Sequence, residues 1–140
     1  EYILKVRAER TRGCNDMILG VLVAEMHRCQ LVIDGRGGTI SGISDVHGRN
    51  ASSNRTTRHG RVFPISGVVE LVVTVRNNSI VVTADGKPVI DWQGNPATLS
   101  DGKAGVRPPR RMFLSIQKGG SYRIDAITLK PLTGKGRNIP

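Results

Sequence analysis

Apolar and polar side chains alternate along most of this chain with the two-residue period of a β-strand, and no stretch carries convincing helical periodicity. In "YILKVRAERT", Tyr2, Leu4, Val6 and Ala8 share one face while Ile3, Lys5, Arg7 and Glu9 share the other. In "VELVVTVR", Val69, Leu71, Val73 and Val75 alternate with Glu70, Val72, Thr74 and Arg76. "MILGVLVAE" and "CQLVID" are more uniformly apolar, which predicts central strands covered on both faces. "MFLSIQ" and "YRIDAITLK" predict two further strands. In the second of these, Ile124, Ile127 and Leu129 change parity, predicting a bulge near Asp125 or Ala126. The turn signatures "RNNS" and "ADGK" frame "SIVVTA", so residues 68–92 predict three successive antiparallel strands. About nine or ten strands and no helix predict an all-β fold of two packed sheets. "GNPATLSDGKAGVRPPRR" reads as a long loop because Pro96, Pro108 and Pro109 break any ladder, and "TGKGRNIP" reads as a tail. The expected organisation is one domain over residues 1–132, with 133–140 as linker or tail.

Composition narrows the functional classes. A chain of 140 residues can bury about two-thirds of its unfolded surface, so neither disulfides nor a metal is needed for stability. Cys14 and Cys29 fall at opposite ends of a predicted hairpin strand, roughly 26 Å apart at about 3.3 Å per residue. A disulfide needs Cα atoms within about 7 Å, so two free thiols are expected. No apolar run is long enough to span a bilayer. The chain opens on strand-like alternation with neither an initiator Met nor a signal peptide, and is expected to be a piece of a longer polypeptide. The net charge of +10 admits anionic partners. Much of it sits at strand positions opposite the apolar ones, where Arg7, Arg76 and Arg123 mix with Glu9, Glu70 and Asp125 as on a solvated sheet face.

One stretch breaks the alternation. "SDVHGRNASSNRTTRHGR", residues 44–61, gathers Asp45, His47, Arg49, Asn50, Asn54, Arg55, Thr56, Arg58 and His59. Planar polar groups with paired donors and acceptors are what saccharide recognition needs, so Asp45, His47, Arg49, Asn54, Thr56 and Arg58 are candidate ligand-binding residues. A loop of this length also has two other readings, a rim segment hydrogen-bonded to itself or a disordered one. Trp92, the sole tryptophan, is a candidate stacking platform for a sugar ring; its parity with Ile90 also fits a core residue closing one end of the sandwich.

Other chemistries have weaker signatures. Glycoside cleavage needs a carboxylate on each side of the scissile bond. None of the four glutamates has a second carboxylate two residues away, which leaves only a cross-strand pair such as Asp45 with Asp91. No nucleophile elbow or phosphate loop is present. His27, His47 and His59 with the cysteines lack zinc spacing. Calcium would draw on Asp16, Asp34 or Asp45, without the repeated acidic spacing of a dedicated loop. Arg107, Arg110 and Arg111 form the densest basic spot, fit for a phosphate, sulfate or carboxylate or simply solvated. Five aromatics, most with core-like parity, argue against nucleic acid.

The order of "LVIDGRGGTISGI", the polar stretch, "LVVTVRNNSIVVTADGKPVIDWQGNP" and "RMFLSIQKGGSYRIDAITLKPL" resembles the concanavalin A-like, laminin-G-like jelly-roll domains of planctomycete-type bacterial envelope and signalling proteins, whose relatives include the 3-keto-disaccharide hydrolase domain. "VRNNSIVVTADGKPVIDW" is the most specific part. The resemblance implies a two-sheet antiparallel sandwich, saccharide binding in many members, calcium in some, and an extracytoplasmic or cell-envelope setting. The leading expectation is a non-catalytic carbohydrate-binding module without a required cofactor, its partners a saccharide or anionic polysaccharide and other domains of the parent protein. The alternatives are a protein-interaction jelly roll and a glycoside-active enzyme.

Overall fold

The computed structural model describes residues 1–24, 27–101 and 111–134. Among them twelve strands follow in chain order: β1 (Tyr2–Arg12), β2 (Met17–Val23), β3 (His27–Asp34), β4 (Ile40–Ile43), β5 (Asp45–Val46), β6 (Arg49–Asn50), β7 (Arg58–His59), β8 (Val68–Arg76), β9 (Ser79–Ala84), β10 (Lys87–Gln93), β11 (Phe113–Ile116) and β12 (Ser121–Pro131). One five-stranded antiparallel sheet has the order β10-β9-β8-β1-β12, and the facing one β11-β2-β3-β4-β7. β5 and β6 form a separate short hairpin. The architecture is the predicted two-sheet sandwich of concanavalin A-like jelly-roll type.

Alternation decides what each sheet buries. Leu4, Val6 and Ala8 on β1, Leu71 and Val73 on β8, and Ile80 and Val82 on β9 meet Met17, Leu19 and Val21 on β2 and Leu31 and Ile33 on β3 in a common core. The opposite positions carry the charges. Arg7 faces Glu70 across β1 and β8, Arg123 pairs with Glu9 at 2.8 Å and with Asp125 at 3.0 Å, and Arg76 reaches Glu1 at 3.4 Å. The predicted bulge is present on β12: Arg7 pairs with Ala126 and Ala8 with Ile124, leaving Asp125 as the extra residue. A second irregularity on β10 makes Val89 the extra residue beside Pro88, as suits an edge strand.

Asp85 and Gly86, at φ 47° and 79°, close the two-residue turn between β9 and β10, which demands positive φ at both positions. Cys14 is exposed, Cys29 is buried, and both are free thiols, because β2 and β3 do form the hairpin that holds them apart. Burial pushes the Cys29 thiol up to about 12.

Asp34 ends β3 in a left-handed conformation, φ 58°, and is wholly buried. It is not left free for a cation. Its carboxylate accepts the backbone N–H of Val62 at 2.6 Å and of Phe63 at 2.8 Å, while its own N–H donates to the Ser41 hydroxyl at 3.1 Å. Burial raises its carboxyl above the ordinary value, against those two bonds and the nearby Arg10 and Arg61 charges. The residue therefore ties the end of the polar stretch to the core strands.

Candidate functional site

The polar stretch is ordered and folds in two parts. In the first, β5 and β6 pair Val46 with Arg49 and Asp45 with Asn50, so His47 and Gly48 form the turn. Both have positive φ, 53° and 74°, the type I′ geometry that matches strand twist in a two-residue hairpin. The buried Val46 bridges to Leu99, and the His47 N–H donates to the Thr98 carbonyl at 2.8 Å, which seats the hairpin against the turn after β10.

In the second part, side chains stand in for strand backbone. β7 pairs only with Ile40 and Ser41, and beyond it the edge of β4 would be left open at Ile43. The Ile43 N–H instead donates to the Thr56 hydroxyl at 2.9 Å, and the Asn54 amide donates to the Ile43 carbonyl at 2.8 Å. The same amide nitrogen reaches the Arg49 and Asn50 carbonyls at 3.0 and 2.9 Å. The Asn54 carbonyl accepts the N–H and hydroxyl of Thr56 at 2.9 and 2.6 Å. Gly42 permits this closure, since a Cβ there would lie 3.0 Å from the Ala51 carbonyl oxygen and 3.2 Å from the Thr56 hydroxyl. The Asn50 side-chain oxygen Oδ1 is engaged likewise, accepting from the Ser52 N–H and the hydroxyls of Ser52 and Ser53.

The candidate residues consequently separate. Asn54 and the 5 % exposed Thr56 are engaged in holding the loop. Trp92 is 1 % exposed and belongs to the core, with the Arg55 guanidinium stacked over its ring at 6.0 Å. That leaves no indole face for a sugar. Asp45 accepts a hydrogen bond from Ser100, and no contact among the described residues joins it to Asp91, which stands on the outer face of its sheet opposite Val81. Arg58 is exposed on β7 and opens onto a different cleft. Arg107 and Arg110 lie outside the described residues, and so do residues 135–140.

What does converge is an open cleft of about 390 Å³ lined by Val46, His47, Arg49, Ser53, Asn54 and Arg55. His47 and Arg49 are presented by the hairpin, and Arg55 by its stacking on Trp92 and a hydrogen bond to the Gln93 carbonyl. The result is a recess lined by the Arg49 and Arg55 guanidinium groups, the His47 imidazole and the buried Val46. Ser53, which sequence composition alone did not single out, also lines the cleft, its hydroxyl donating to the Asn50 side chain. Among the described residues no three His, Cys, Asp or Glu side chains gather to hold a metal.

No family model matches the chain, and no curated protein matches it. Solved structures do. The galectin LEC-6 of Caenorhabditis elegans superposes with a TM-score of 0.55 at 10% identity, over 93% of this chain and 82% of that one. Sheep galectin-11, in complex with glycerol, gives a TM-score of 0.50 at 15% identity, over 91% of this chain and 88% of that one. At such identities the likeness is one of fold, and the fold shared is the jelly-roll sandwich.

Proposed function

We propose that this domain is a non-catalytic saccharide-binding module and that its site is the cleft bounded by His47, Arg49, Ser53 and Arg55. One observation carries the reading: the loop's amides and hydroxyls are engaged internally, while the His47 imidazole and the Arg49 and Arg55 side chains are exposed around a pre-formed recess. Rigid placement lowers the ordering cost of binding, and guanidinium groups offer paired donors to vicinal hydroxyls or to a carboxylate. The two solved structures reported above are galectins by name, and one is in complex with glycerol, a small polyol. An envelope-facing setting in a larger bacterial protein belongs to the same proposal, resting on the family resemblance of the sequence as a whole.

Titration with neutral, uronate-containing and sulfated oligosaccharides tests the reading. Binding by at least one, lost in Arg49→Ala with Arg55→Ala, is expected. If no glycan binds at millimolar concentration or raises the melting temperature, the reading falls. A second reading, a protein-interaction domain, draws on β12, an edge strand whose Ile127 and Leu129 are 53% and 56% exposed. Stable self-association or a defined copurifying partner, abolished by Ile127→Lys, would favour it.

A further inference from the structure

Three cations make ion pairs among the described residues: Arg123 with Glu9 and Asp125, Arg76 with Glu1, and Arg28 on β3 with Asp101 at 2.5 Å. A cluster of cations outside these pairs lies where residues of the edge strands β7 and β10 line one cleft. There, Arg58, Arg61 and Lys87 surround a second cleft of about 300 Å³ whose floor includes Val62, Val69 and Val89. None of the three cations takes part in an ion pair among the described residues, though the Arg61 charge also acts on the buried Asp34 carboxyl. The carboxylate beside them, Asp85, has one oxygen engaged by the Glu70 N–H at 2.9 Å. Arg61 is held in place by what is missing: a Cβ on Gly38, φ 85°, would lie 3.0 Å from its Nε, so the guanidinium rests on bare backbone.

The two clefts lie at opposite ends of one edge. Arg55 contacts the Gln93 carbonyl at the end of β10, whereas Lys87 is its first residue. Seven residues of strand separate these points by roughly 20 Å. Arg55, Arg58 and Arg61, three residues apart, belong to the segment linking the two clefts. A linear chain with acidic substituents fits such a track. A small globular ligand would occupy only one end, and a nucleic acid would want exposed aromatic faces, which Trp92 at the core does not offer.

We propose that the seam beside β10 is an anion-binding track in which Arg58, Arg61 and Lys87 hold a sulfate or carboxylate group of a linear acidic saccharide whose other end occupies the His47, Arg49 and Arg55 cleft. This rests on the saccharide reading above and adds the ligand's charge and length. The apolar floor takes the C–H face of a ring, and the three cations take its acidic group through charge-assisted hydrogen bonds.

The test is calorimetric titration of a chondroitin sulfate octasaccharide, its desulfated form, the desulfated and carboxyl-reduced neutral form, and oligo-dT, against the wild type and the Arg58→Gln, Arg61→Gln, Lys87→Gln triple variant. All three positions are exposed, and a thermal melt of the variant confirms an intact fold. The acidic forms should bind at least about tenfold tighter than the neutral form, one retained charged contact being worth that much. The triple variant should lose that advantage, keep neutral binding, and lower the slope of log affinity against log salt by roughly one per cation removed. The sulfated and desulfated arms show which acidic group is held. If the neutral form binds as tightly as the acidic ones, or the triple variant matches the wild type, the track is refuted while the saccharide reading stands. Oligo-dT binding at equal strength would refute its assignment to a saccharide, and binding of no saccharide at all would refute both.

Discussion

Asn54 separates a residue that builds the cleft from one that merely lines it. Replacing it by Ala removes the amide that bonds the Ile43, Arg49 and Asn50 carbonyls and the carbonyl that accepts from Thr56. Each such bond contributes about 0.5–1.5 kcal/mol net, and water reaches part of this half-buried site, so about 2–4 kcal/mol is expected in total. For a domain of 140 residues the unfolding entropy is about 0.3 kcal/mol/K, so the melting temperature should fall by about 7–14 °C. Calorimetry measures the shift, and amide exchange at Ile43 and Thr56 locates it, since both N–H groups should lose protection. Ligand affinity should fall too, but as a consequence of the loosened wall. A variant that melts within about 2 °C of the wild type, with unchanged exchange at Ile43, would refute the claim that side chains complete the β4 edge.

Other outcomes follow from the same geometry. Thiol titration under native conditions should show one fast group, the exposed Cys14; Cys29, buried and pushed up to about 12, should react only on unfolding, and two fast thiols would contradict its placement. Because the Asp34 carboxyl is raised in the fold, its contribution is fully present below the ordinary value of 3.8 and is lost as pH rises through the folded value. Asp34→Asn should therefore flatten that part of the stability profile, and an identical pH slope in both proteins would refute the assignment. A Cβ on Gly20 would meet the Phe113 ring at 2.2 Å, so Gly20→Ala should cost about 1–3 kcal/mol, with the cost shrinking in a Phe113→Ala background; equal costs in both backgrounds would deny the contact. Trp92 emission should be blue-shifted and resist acrylamide, whereas quenching like that of free indole would return it to the surface.

The long strands were legible because a two-residue period is a property of the chain itself, and the sandwich buries the parity that the sequence displays. The bulge at Asp125 was legible for the same reason, as a break in that parity. The β5–β6 hairpin was not. Its strands are two residues long, and its turn, His47–Gly48, lacks the Asn-Gly or Asp-Gly signature. Nor does composition distinguish an asparagine that presents its amide to a ligand from one that serves a carbonyl eleven residues away. Asp34 had the chemistry of a cation ligand, but two backbone amides of the segment after β7 reach it first. That Arg61 and Lys87 line one cleft depends on how residues distant in sequence are brought together by the two sheets, which no local pattern encodes.

An open strand margin in a β-protein invites pairing with a neighbouring molecule. Here β4 is shielded by an amide and a hydroxyl, groups that saturate hydrogen-bonding positions without offering a template another chain can extend. A chain lacking Asn54 should therefore acquire a tendency to form intermolecular sheet, visible as turbidity that grows with protein concentration. Solubility and ligand recognition would then depend on the same few atoms.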